Sequence, residues 1–302
     1  MKSTIPKRLY RDRWLYLFLL VPIAYYLIFR YFPMYGATIA FKDYRIGLGF
    51  FGSRWVGLRH FERLFQAPVF YTILRNTLLL NLYSLVFGFP VPIIIALLLN
   101  EVGSVQYKRM IQSILYLPHF ISWVVLAGIF TQILSPSTGV VNLMMKAVGV
   151  TPIYFMISNF WWPVMFVVSG IWQGAGWGSI IYLAAISGID PQLYEAARID
   201  GAGKLGQIWH ITLPGIKSTI AIMLILRLGG MMDVGFEHIY NMMNSAVYSV
   251  SDVFSTYVYR TGILGAQFSY TTAIGLFQSL ISMVFIITAN TITRKIGETS
   301  LW

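Results

Sequence analysis

Residues 195–214 read EAARIDGAGKLGQIWHITLP and hold the densest run of groups with chemical potential in the chain. Gly201 to Gly206, GAGKLG, has the glycine spacing of a dinucleotide fingerprint, in which glycines let a backbone approach a pyrophosphate. That fingerprint needs a preceding strand and an acidic residue about 20 positions on. Here a helical pattern precedes it and an apolar run follows soon after, so the dinucleotide reading fails. A phosphate-binding loop fails too, because Leu205 stands where Ser or Thr is needed and Arg198 where the first glycine is needed. The chain itself is therefore not expected to bind a nucleotide. His60, His119, His210 and His238 are scattered without ligand spacing, and cysteine is absent, so no metal site and no disulfide are expected. No residue is assigned a catalytic role, and the chain is not expected to be an enzyme.

The remaining reactive or polar groups sit inside apolar runs. Arg227 lies about ten residues into one of them, with Asp233 and Glu237 following. A charge at membrane depth is costly, so Arg227 should face an aqueous path or an ion partner on another helix. Trp172, Gln173 and Trp177 offer aromatic faces and an amide of the kind that line a path for a polar solute, and with Arg227, Glu237 and Gln278 they form the candidate substrate path. The tryptophans also fit an ordinary membrane-interface role. Asn76, Asn81 and Gln278 are equally well explained by interhelical hydrogen bonds. Gly170, Gly174 and Gly178, spaced by four, let another helix approach closely, either within this subunit or at an interface with a second one.

The elements that must carry these residues are membrane helices. Of 302 residues, 57% are apolar and 11% charged, against roughly 25% charged in an ordinary soluble domain. Apolar runs longer than about 18 residues recur, as helices crossing a hydrocarbon core require. We expect an all-α polytopic membrane protein with about six spans, roughly 14–38, 70–100, 111–134, 161–186, 217–236 and 269–293. Pro90, Pro92 and Pro118 fall inside spans and should act as kinks. The first run follows Lys2, Lys7, Arg8, Arg11 and Arg13 but is too long for a cleaved signal peptide, so it is read as a retained span. The organisation expected is a basic N-terminus over 1–13, one transmembrane domain over 14–293 and a tail over 294–302. The second half of segment 41–69 suits a short amphipathic helix at the outer interface.

Net charge is +11. Twelve Lys and Arg fall on the side of the termini, seven on the other, and three within or at the ends of spans. That bias places both termini in the cytoplasm of a multi-pass plasma membrane protein, and it explains the cations without nucleic acid.

The polar stretch reads as helix, turn, helix. Asp190 can cap the first helix with Pro191 at its first position, Glu195 and Arg198 are spaced to pair, and Gly201 stops it. Lys204 to His210 forms the second helix and Pro214 marks the entry to the next span. Ala196, Ala197, Gly201 and Ala202 leave a surface of little bulk that a partner's groove can approach.

Glu195-Ala196-Ala197, then Gly201, then Ile211-x-Leu213-Pro214, is similar at every defining position to the EAA signature of binding-protein-dependent ABC importer permeases. Segment 235–260 and the QFSYTTAIGLFQSL after it resemble the oligosaccharide-uptake branch. The resemblance implies a type I ABC importer permease fold with a cytoplasmic coupling helix–turn–helix over about 187–216. It also implies that Glu195, Ala196, Ala197, Arg198, Asp200, Gly201, Ala202, Ile211, Leu213 and Pro214 dock an ATPase subunit. The implied complex adds a second EAA-type permease, two ABC ATPases that bind ATP and Mg, and an extracytoplasmic sugar-binding lipoprotein. The implied function is import of oligosaccharides, including acidic or complex polysaccharide fragments, by alternating access. An ion-coupled secondary transporter would instead need carboxylates inside the spans, and these are few.

Overall fold

The structure, a computed structural model, describes residues 11–295. Of the expected basic N-terminus and tail, all but Arg11–Arg13 and Arg294–Lys295 lie outside the described residues. Four helices are long and apolar enough to cross a bilayer: α1 (Arg13–Phe41), α2 (Pro68–Asn100), α5 (Trp161–Ser187) and α10 (Phe268–Lys295). Two further candidates are bent pairs. One is α3 (Val105–Phe120) with α4 (Trp123–Ile133), bent by 100°. The other is α7 (Lys204–Gly215) with α8 (Lys217–Gly229), bent by 60°. Counting each pair as one span gives the expected six.

Two spans differ from the sequence expectation. The third is not a kinked continuous helix, because the chain turns extended at Ile121 and Ser122, three residues beyond Pro118. The fifth does not reach residue 236: α8 ends at Gly229, an irregular stretch follows, and a separate helix α9 (Phe236–Met242) begins after Gly235, whose φ is +82°.

The prolines leave a regular mark. Three π-helical turns, Leu27–Tyr31, Ser84–Gly88 and Ile208–Thr212, each end two residues before a proline, Pro33, Pro90 and Pro214. A helical proline lacks the N–H for the carbonyl four residues back and its ring crowds that carbonyl. Those carbonyls belong to residues 29, 86 and 210, inside the three turns. The wider turn relieves the clash while keeping the helix continuous.

By its contacts the chain divides into two compact units. One takes the chain up to Gln66 with Thr261–Leu276. It holds a two-residue antiparallel pairing of β1 (Lys42–Asp43) with β2 (Arg54–Trp55), and the expected short helix, Arg59–Gln66, which buries Leu64. Lys42 is buried, donates to the Phe50 carbonyl at 2.6 Å and lies over the Trp55 ring.

The second unit takes Ala67–Arg260 and the chain from Phe277 on. Its main core gathers Leu80 of α2, Ala127 of α4, Trp162 and Phe166 of α5, and Ile239 and Met242 of α9. Side chains from the spans satisfy the irregular backbone after α8. Asn81 donates to the Met231 carbonyl at 2.9 Å, Gln278 to Met232 at 3.1 Å and Asn76 to Asp252 at 3.0 Å. Trp162 Nε1 donates to Met242 at 3.0 Å. Farther on, Arg260 donates to buried Asp252 at 2.6 Å. Burial opposes the Arg260 charge, but the hydrogen bond and charge of Asp252 outweigh it and hold the guanidinium above its ordinary value.

The closest helix approach involves a glycine outside the 170–174–178 series. A Cβ at Gly176 would overlap the carbonyl of Leu115 on α3, whereas one at Gly174 would meet nothing within 4 Å. Gly176→Val should therefore force α3 and α5 apart and cost about 1–3 kcal/mol. Gly174→Ala, with space around the added methyl, should hold stability or raise it by up to about 1 kcal/mol. Thermal unfolding of the purified protein in detergent separates the two, and equal midpoints would contradict the packing described.

Candidate docking loop and membrane cleft

The polar loop is built as its residues dictate. Helix α6 (Pro191–Ile199) is capped by the Asp190 carboxylate, which accepts from the Gln192 N–H at 2.9 Å. Gly201 takes a φ of +79°. Its N–H bonds Arg198 at 3.1 Å, and the Ala202 N–H bonds the Ala197 carbonyl at 2.8 Å. This pair of bonds is the Schellman stop, which needs a left-handed residue where glycine stands. Glu195 and Arg198 make no ion pair with each other; both are exposed, where such a pair contributes little.

The loop is seated at both ends. Tyr194 Oη and the buried Thr212 Oγ1 lie 3.0 Å apart, tying α6 to the root of α7. Gln207 donates to the Ala202 carbonyl at 2.9 Å, and Lys204 pairs with Glu101, just past α2, at 2.5 Å. Ile216 is fully buried against Ala96, Tyr182 and Ile186. Gly215 is crowded by Ile189, whose Cδ1 would stand 2.6 Å from an added Cβ. Of the ten residues assigned to docking, Glu195, Ala196, Arg198, Asp200, Gly201 and Pro214 are exposed, and Ala197, Ala202, Ile211 and Leu213 are half-buried.

Sequence reasoning passed over four apolar residues in the same loop. Ile199 is 86% exposed, Leu205 73%, Trp209 66% and Leu193 53%. Glu195, Arg198 and Ile199 fall at helical spacings that share one face of α6. The missed signal was apolar residues inside an otherwise polar loop.

A cleft of about 570 Å³ opens among α2, α5, α8 and α9. Gly170, Gly174 and Gly178 form its wall on α5, and Arg227 is the only Lys, Arg, Asp or Glu among the described residues that line it. The glycine series thus faces an open furrow, closed at its ends where Gly170 approaches His238 and Gly178 approaches Pro92. Gly176 lies about 200° around the helix from Gly174 and packs the opposite side. Arg227 makes no hydrogen bond or ion pair to a described residue; Asp233 is the acid whose charge reaches it. Asp233 itself caps the turn at Gly235, accepting from its N–H at 2.9 Å. His238 is clamped between the Trp123 and Phe166 rings, at centroid distances of 3.5 and 4.0 Å, and shares a 2.9 Å hydrogen bond with Ser169.

The other path candidates lie elsewhere. Trp172 packs edge-on to Phe130, Gln173 donates to the His119 carbonyl at 3.4 Å, and Trp177 stacks on the His119 ring at 4.7 Å. Glu237 is exposed, and Gln278 is engaged with Met232. Arg227 is the one of the six that reaches the cleft. Among the described residues no three His, Cys, Asp or Glu side chains group as a metal site.

Known proteins share this architecture. The family described as binding-protein-dependent transport system inner membrane component matches residues 88–298. The polygalacturonan/rhamnogalacturonan transport system permease protein YteP of Bacillus subtilis (strain 168) is 45% identical over 98% of this chain and 92% of its own. Protein LplB of the same organism is 47% identical over 97% of this chain and 92% of its own. The crystal structure of a bacterial ABC transporter involved in import of the acidic polysaccharide alginate superposes with a TM-score of 0.90 at 44% identity. It covers 97% of this chain and 99% of that one. The fold is thus that of a type I ABC importer permease, and the chain belongs to the binding-protein-dependent transport system inner membrane components.

Proposed function

We propose that this chain is the membrane subunit of an ATP-driven importer that passes oligosaccharides, acidic ones among them, into the cytoplasm by alternating access. The observation that carries the reading is the loop over 190–215, an exposed helix–turn–helix seated on the ends of three spans, in a chain 45% identical to a polygalacturonan/rhamnogalacturonan permease. The alginate transporter has also been solved with a pentasaccharide-bound periplasmic protein, which supports a binding protein as the delivering partner here.

In this reading the loop faces the cytoplasm, as do both termini. It docks one of two ATPase subunits, which bind ATP and Mg and do the hydrolysis, and a second EAA-type permease completes the path. Closure of the ATPases moves the loop, and the Tyr194–Thr212 and Lys204–Glu101 links carry that motion to α8 and α2. The states must differ in their affinity for ATP and for the loaded binding protein, since a ligand shifts an equilibrium only through such a difference. The cleft carries the sugar, with Arg227 as its cation.

Two outcomes test this. Glu195→Lys reverses the charge on the exposed face of α6, and Gly201→Asp adds bulk and roughly 1–2 kcal/mol of backbone strain at the left-handed turn. Each should abolish sugar uptake and sugar-stimulated ATP hydrolysis while membrane insertion persists; normal transport in either rejects the docking role. For the cleft, Arg227→Gln should reduce uptake of an oligogalacturonate about ten-fold or more, the equivalent of one charge-assisted hydrogen bond. Uptake of its carboxyl-reduced counterpart should be spared. Equal loss of both would make Arg227 a structural residue.

A further inference from the structure

A second groove, of about 820 Å³, runs along the surface between α2 and α5. Leu79, Tyr83 and Phe87 of α2 face Val164 and Val168 of α5 across it, and these five side chains remain 36–61% exposed. Apart from the Tyr83 phenol, its polar side chains, Arg75, Asn76 and Asn159, stand at one end. Ser249 closes that end, donating to Asn159 Oδ1 at 3.0 Å and accepting from Arg75 Nη2 through its carbonyl at 2.8 Å.

The depth of that end follows from helix lengths. Helix α2 has 33 residues, about 50 Å at 1.5 Å each. The hydrocarbon core is about 30 Å, leaving roughly 10 Å of overhang at each end. Arg75 is seven residues from Pro68, about 10 Å along, which for an upright helix centred on the bilayer is the boundary between headgroups and hydrocarbon. Asn159 and Phe160 immediately precede Trp161, the first residue of α5, on the face opposite the 190–215 loop. From Arg75 to Phe87 the groove descends about 18 Å, comparable with one leaflet.

The charge of Arg75 has no carboxylate counterpart among the described residues. Arg75 donates through Nε and Nη2 to Asn76 Oδ1 and the Ser249 carbonyl, and pairs with no carboxylate among the described residues. A guanidinium has five N–H donors, so the two on Nη1 remain unclaimed. A cation at the edge of hydrocarbon lies at the depth of the lipid headgroups, where an anionic one attracts it. A protein helix laid in the groove would cover its apolar walls but needs an acid at one fixed depth. A phospholipid brings its phosphate to that depth by construction and its acyl chain to the walls below.

We propose that the groove is a binding site for an anionic phospholipid, with the phosphate on Arg75 and Asn159 and one acyl chain along Leu79, Tyr83, Phe87, Val164 and Val168. The site does not depend on which solute is transported.

The test uses the full-length chain with the subunits that copurify with it. After equilibration in mixed phosphatidylglycerol and phosphatidylcholine vesicles and mild extraction, the wild type should retain phosphatidylglycerol preferentially. Arg75→Gln should lower that preference about ten-fold, the loss of one charge-assisted contact. Arg75→Lys should keep most of it. Val168→Trp, which fills the groove and leaves the cation intact, should release both lipids, and it carries the test should Arg75→Gln fail to fold. A photo-reactive benzoylphenylalanine at Val164 should label a lipid. Labelling of a protein chain instead would show that a partner helix occupies the groove and would overturn the proposal. Undiminished phosphatidylglycerol in Arg75→Gln or in Val168→Trp would overturn it as well.

Discussion

Hydrocarbon offers a peptide backbone no hydrogen bonds, yet this chain interrupts its membrane helices at residues 121–122, at 216 and over 230–235. Each interruption frees backbone groups that the protein must satisfy from within. The longest is answered by side chains from distant spans: Asn81 and Gln278 spend amides on the Met231 and Met232 carbonyls, and Asn76 does the same for Asp252 farther along. The cleft, the position of His238 and the exposure of Arg227 all depend on that stretch being held open instead of helical. The same amides would be wasteful in a simple bundle.

The polar loop over 190–215 obeys the same logic outside the spans, where water is available and the requirement is stiffness. A capped helix, a left-handed glycine and a buried Thr212 fix its shape locally. Ile216 and the Gly215–Ile189 contact fix it to the spans. A force on α6 would therefore be carried to α8 and not absorbed at a hinge. The exposed Ile199 and Leu205 give such a partner apolar surface to cover, with Glu195 and Arg198 beside them.

Much of this was legible in the residues because the signals are local. Length and hydropathy place the spans, Asp190-Pro191 and Gly201 bound the first loop helix, and the defining EAA positions name the family. The prolines announce helical disturbance, though not that three of them are absorbed by π turns. What escaped the sequence is what depends on partners far along the chain. Asn81 and Met231 are 150 positions apart, so periodicity cannot reveal that an amide will cap a broken backbone. The glycines at 170, 174 and 178 have the spacing of a helix interface, but spacing says only that they share a face, not what that face meets. The close contact falls to Gly176, which has no repeat to mark it. Trp172 and Trp177 have the composition of a sugar platform, yet the bend after Phe120 brings ring partners against them.

The glycine wall of the cleft has a further consequence. Along α5 the wall at these three positions is backbone and hydrogen, so on that side few side-chain atoms would grip a molecule lying in the cleft. Rapid passage requires sites weak enough to leave as well as to enter. On the side of this furrow opposite the glycines, the grip on a charged solute falls to Arg227.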